Sequence, residues 1–124
     1  MKITDTEKEQ VINKAEFLVK KGYVVIIKEN TIVYSNPENE IIITFEPYSD
    51  VSDMSIKFNA ENEIFSIGWI AFVRKNLKLN PHEKLNNVLS LLTYIEKNYI
   101  EISQINYCIE SNKLIDDFII ENSK

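Results

Sequence analysis

Cys108 and His82 are the only thiol and the only imidazole among 124 residues, and they stand 26 positions apart. A metal centre needs a cluster of His, Cys or carboxylate ligands, which this pair does not supply. His82 falls in the first turn of a helix by its Asn-Pro-His-Glu context, where the helix dipole lowers basicity, so it reads as a solvated residue of a capping turn. Cys108 follows Tyr107 in an apolar run and reads as a small core residue, since a reactive thiol needs a base or a positive field beside it. A Cys-His or Ser-His nucleophile pair would also need a third orienting group or a strained elbow, and neither is visible. Phosphate loops need several glycines, whereas Gly22 and Gly68 are the only two and lie 46 positions apart. Asp116 and Asp117 are adjacent, and neighbours on a helix point about 100° apart, which is no geometry for a catalytic dyad. No catalytic residue, metal or cofactor is therefore expected, and an enzyme ranks last among the functional classes.

Charge is the more informative property. Fourteen Lys and Arg against nineteen Asp and Glu give a net charge of −5, which repels nucleic-acid phosphates and anionic membranes. Neither is expected as a partner. The acidity is concentrated in residues 36–66, where Lys57 stands against Glu38, Glu40, Glu46, Asp50, Asp53, Glu61 and Glu63. These fall in turns and strand ends and are expected to share the two rims of a sheet. Acidic turns are ordinarily just solvated; the functional reading is an acidic surface that meets a basic partner protein, where complementarity speeds association and selects the partner.

The elements that must position these groups follow from periodicity. Residues 6–21 read as a helix, with Thr6 and Glu9 at capping-box spacing, Val11, Ile12, Ala15, Leu18 and Val19 at helical spacing, and Gly22 where a left-handed cap belongs. The period then becomes two. Residues 23–28 and 31–34 are β-branched and aromatic runs joined by Glu29-Asn30, a two-residue hairpin turn in which Asn30 tolerates positive φ. SNPEN is a turn, and Ile41, Ile43 and Phe45 alternate with Ile42, Thr44 and Glu46 as a third strand. Met54, Ile56 and Phe58 alternate with Ser55, Lys57 and Asn59 in a fourth, with one face to the core and one to water. Asn80, Pro81 and Glu83 have the spacing of an N-cap, first position and third position of a helix running to about Asn98. Ser111 is placed as the cap of a last helix through Leu114, Ile115, Phe118 and Ile119. Residues 99–110 fit neither period, and a loop followed by a short helical or extended piece is expected.

The stretch FSIGWIAFVRK, residues 65–75, contains the single tryptophan. One reading continues residues 64–73 as a central strand with both faces apolar. The other ends the strand at Gly68 and starts a helix at Trp69, with Arg74, Lys75 and Lys78 near its negative end; this is the favoured reading. Under both the stretch is mainly core, with Trp69 as the candidate anchor of an interface.

The expected fold is a single α+β domain over residues 1–124: an N-terminal helix, a four- or five-stranded antiparallel meander, then two or three C-terminal helices packed on one face of the sheet. The polar opening MKITDTEKEQ reads as no secretory leader, and no apolar run approaches the roughly 18 residues of a membrane helix, so the cytoplasm is the expected compartment. With a first helix ending in KKGY, followed by TIVYSNPENEIIITFEP and EKLNNVLSLLTYIEKNY, the chain resembles in overall organisation the small immunity proteins of bacterial polymorphic-toxin and contact-inhibition systems. That resemblance implies a non-enzymatic protein that binds a cognate toxin domain and blocks its active site, and the acidity would suit a basic toxin such as a nuclease. It rests on no shared motif, so it assigns no residue a role. A small-molecule binder using a cavity between sheet and helices is the second expectation, and the residues leave the oligomeric state open.

Overall fold

The computed structural model describes residues 4–45, 53–80 and 83–123. The chain begins with two helical pieces, α1 (Asp5–Lys14) and α2 (Glu16–Lys20), bent at the buried Ala15. Thr4, not Thr6, caps α1: its hydroxyl accepts the Glu7 N–H at 3.1 Å while the Glu7 carboxylate accepts the Thr4 N–H at 2.9 Å. Thr4 and Glu7 have the same capping-box spacing as Thr6 and Glu9, and the earlier pair starts the helix sooner. At the far end Gly22 adopts φ +98°, letting its N–H reach the Val19 carbonyl and the Tyr23 N–H the Leu18 carbonyl, a Schellman cap.

Five strands follow in one antiparallel meander: β1 (Val24–Ile27), β2 (Thr31–Ser35), β3 (Asn39–Thr44), β4 (Asp53–Phe58) and β5 (Glu63–Ser66), side by side in chain order. Lys28 N–H bonds Thr31 O at 2.8 Å and closes the two-residue turn, but Asn30 does not use positive φ, which among the described residues is confined to Gly22, Asn62 and Asn76. Its carbonyl instead accepts the Phe45 N–H at 2.7 Å, which draws Asn30 into the β2–β3 ladder. The alternation holds across the sheet. Tyr34, Ile41, Ile56 and Phe65 form one cross-strand row of buried residues, and Ile32, Ile43 and Met54 form the next. The opposite face carries Val33, Ile42, Glu40, Lys57 and Ile64, which are half-buried or exposed.

The helical layer comprises α3 (Ile67–Lys75), α4 (Lys84–Lys97), α5 (Tyr99–Ile102) and α6 (Ile105–Asn122). α3 packs on β4 and α4, α1 packs on α4, and α6 packs on α3. The architecture is the expected α+β arrangement with helices covering one face of the sheet, and Val11, Leu18, Ile67, Ile70, Val88, Leu91 and Ile95 close the core against it.

Several local expectations are corrected. The strand-to-helix switch falls two residues before Trp69: β5 stops at Ser66, whose hydroxyl caps α3 by accepting the Trp69 N–H, and Gly68 lies in the first turn of that helix. Asn80 is not an N-cap. α4 starts after Glu83, and Asn80 is instead gripped by the side chain of Asn87, which accepts its N–H at 2.9 Å and donates to its carbonyl at 2.7 Å. Pro81 and His82 lie outside the described residues. Ser111 sits inside α6, fully buried, where its hydroxyl donates to the Tyr107 carbonyl four residues back and accepts from Arg74 Nε. Residues 99–110 are helical apart from the break at Ser103 and Gln104, because Ile102 and Cys108 turn inward from successive helical segments.

Candidate functional site

Three of the acidic residues meet at one end of the sheet. In the β2–β3 turn the Asn36 side-chain oxygen accepts the N–H groups of Glu38 at 2.9 Å and Asn39 at 2.8 Å, an Asx turn that fixes the loop on its own backbone. Asn59, leaving β4, ties this turn to the next: its N–H bonds the Glu38 carbonyl at 3.0 Å and its amide bonds the carbonyls of Asn36 and Pro37, each at 3.2 Å. Asn62 at φ 54° then closes the β4–β5 turn in the left-handed region that Asn tolerates. Glu38 and Glu61 are thereby carried, exposed, on two turns locked together, with Glu63 exposed where the second turn enters β5. Glu40 stands on the open face directly opposite Lys57, and Ile64, 58% exposed, is next in that row. The sequence marks the carboxylates by their charge but not Asn36 and Asn59, whose role depends on a contact between two turns over 20 residues apart in sequence.

The remaining candidates are placed elsewhere. Asp53 opens β4 opposite Thr44, at the other end of the sheet; its side chain, together with Glu46 and Asp50, lies outside the described residues. Trp69 is not on the acidic rim. It lies in the helical layer, 42% exposed, edge-on to Phe72 and tilted against Phe118 of α6, so the indole is half surface while Phe65, Ile67, Ile70 and Ala71 of the same stretch are in the core.

Other polar groups serve the fold. The Tyr23 hydroxyl donates to the Asn39 side chain and meets the Tyr99 hydroxyl at 2.9 Å, while the Lys21 ammonium lies 4.5 Å from the centre of the Tyr99 ring, so the first helix, β3 and α5 are tied at one point. Burial, reinforced by the Tyr99 bond, pushes the Tyr23 hydroxyl well above its ordinary range. Arg74 stacks on Tyr107 at 4.4 Å and bonds Ser111 at 3.0 Å, which fastens α6 to α3. Beside it burial pushes the Cys108 thiol up to about 12, against a smaller opposing pull from Arg74, which holds it as an unreactive core thiol.

A groove of about 380 Å³ opens between the end of α3 and α4, lined by Lys75, Leu77, Ser90, Thr93, Tyr94 and Lys97 among others. It is an inter-helix groove and does not lie between sheet and helices. Among the described residues no group of His, Cys, Asp and Glu could hold a metal ion, and no helix is long and apolar enough to cross a membrane. Comparison with protein-family models, curated proteins and solved structures finds no match to the chain.

Proposed function

We propose that this is a non-enzymatic, cytoplasmic protein-binding domain that engages a basic partner through the acidic end of its sheet. The observation that carries the reading is the pair of turns locked by Asn36 and Asn59, which presents Glu38, Glu61 and Glu63 on a fixed rim beside the exposed Ile64. Such a rim costs a partner little ordering, and its carboxylates complement a positive surface while the apolar residue beside them supplies contact area. The groove between α3 and α4 has no comparable set of pre-ordered groups: the Thr93 hydroxyl is spent on the Leu89 carbonyl and the Asn98 amide on the Tyr94 carbonyl.

The narrower reading is an immunity protein that covers a bacterial toxin domain. It is supported by the organisation of the chain, by the acidic rim that a basic toxin would complement, and by a half-exposed sheet face next to that rim. The test is protection: if a gene beside this chain encodes a toxin domain, cells expressing that domain should survive when the chain is co-expressed and should die when Glu38, Glu61 and Glu63 are all replaced by Lys. Survival with the triple variant, at equal expression, would contradict the reading.

A further inference from the structure

We infer that β1 is a self-association edge, at which two copies join their five-stranded sheets into one. β1 ends the strand order and, among the described residues, pairs only with β2, so no described strand forms a ladder with the other side of its backbone. The hydrogen-bond parity says which groups are left over. Lys28 N–H bonds Thr31 O, so Lys28, Ile26 and Val24 face β2, and the N–H and C=O groups of Val25 and Ile27 point outward. Edge strands are normally blunted by charge, proline or a bulge. Val-Val-Ile-Ile has no charge and no proline, and its register with β2 is unbroken. Val24, Ile26 and Ile27 are 66%, 45% and 52% exposed.

A second copy of this chain fits the edge for three reasons. An antiparallel two-fold register that sets Val25 against Ile27 of the second copy, and Ile27 against its Val25, uses every outward backbone group. Shifting the register towards Tyr23 does not, because the Tyr23 N–H is already taken by the Leu18 carbonyl. On the open face that register stacks Ile26 on Ile26 at the dyad, and Ile26, Val33 and Ile42 are already cross-strand neighbours, so one β-branched row would run through both sheets. Charge also allows the approach. Lys28 would lie opposite Val24 of the other copy, where its stem covers an apolar residue and no like charge faces it. Residues 1–35 carry six basic and five acidic groups, so two near-neutral edges meet while the acidic segment stays on the distal strands. The dimer is independent of the partner-binding reading and leaves Glu38, Glu61 and Glu63 free.

Sedimentation of the full chain from micromolar to millimolar concentration should show the mass rising from 14.5 kDa towards twice that value. Ile26→Lys and Ile26→Glu, each folded by circular dichroism, should stay monomeric alone because like charges meet on the dyad, and an equal mixture of the two should associate again through opposite charges. In the wild type the amide hydrogens of Val25 and Ile27 should exchange more slowly at high concentration than at low. A wild type that stays monomeric throughout, self-association that survives both substitutions, a mixture that does not recombine, or concentration-independent exchange at Val25 and Ile27 would each overturn the inference.

Discussion

Tyr34 shows how a single atom can oppose the fold it sits in. Its side chain is fully buried on the core face of β2, and its hydroxyl has no hydrogen-bond partner among the described residues. Burying an unpaired hydroxyl is unfavourable, so Tyr34→Phe should leave stability unchanged or raise it by about 1 kcal/mol. A clear loss of melting temperature in the phenylalanine variant would show that the hydroxyl has a partner. Trp69 calls for the opposite adjustment. A nine-residue helix written Ile-Gly-Trp-Ile-Ala-Phe-Val-Arg-Lys is apolar nearly all round, so its sequence does not say which face another helix will cover. α6 covers Phe72 and only part of the indole. Trp69→Ala should therefore cost about 1–2 kcal/mol, below the usual loss for a fully buried aromatic, and the wild-type emission should lie between those of buried and free indole. Fully blue-shifted emission with a much larger loss would place the ring in the core.

At the level of elements, the strands were legible because a period of two survives wherever one face is buried, as in Met54, Ile56 and Phe58. The helix ends were less so. Thr4 and Thr6 both satisfy the capping-box spacing, Asn80 precedes a proline yet is held by Asn87, and Ser111 looks like a cap but is an interior hydroxyl bonded to Arg74. For Asn80 and Ser111 a contact beyond the local turn decided the role, while for the first helix the earlier of two equivalent local pairs is the one used. Asn87 is 4% exposed and holds both backbone groups of Asn80, so Asn87→Ala should cost about 1–2 kcal/mol by leaving them without that partner. Asn80→Ala keeps the same backbone groups and should cost less. The reverse order in urea unfolding would restore Asn80 as the residue that starts α4. The acidic rim has the same character: its carboxylates were visible as a count, while their shared location depends on Asn59 reaching Asn36 and Pro37.

For the whole molecule, two electrostatic consequences follow. Burial pushes Tyr34 from 10.0 up to about 12 and Cys108 from 9.0 up to about 12. Tyr94 also rises well above its ordinary range, through burial and its bond to Tyr107. These groups stay protonated in the folded chain after the unfolded chain has begun to ionise, so the unfolded state binds fewer protons as pH rises. Stability should be intact below about pH 9, fall from there, and keep falling through about pH 12, and thermal melts at about pH 8 and about pH 11 would show it. An unchanged melting temperature across that span would mean the tyrosines and thiol are solvated. The second concerns our proposal that the acidic end of the sheet recruits a basic partner. The most direct measurement is the association rate with a basic protein captured by the chain, for the wild type and for the chain with Glu38, Glu61 and Glu63 replaced by Lys, at low and high salt. A fast wild-type rate that falls steeply as salt rises is expected, since screening within about 10 Å at 0.1 M weakens steering between exposed charges. The reversed chain should associate much more slowly at unchanged stability, because exposed substitutions cost within about 0.5 kcal/mol each. Equal rates for the two proteins at low salt would contradict it.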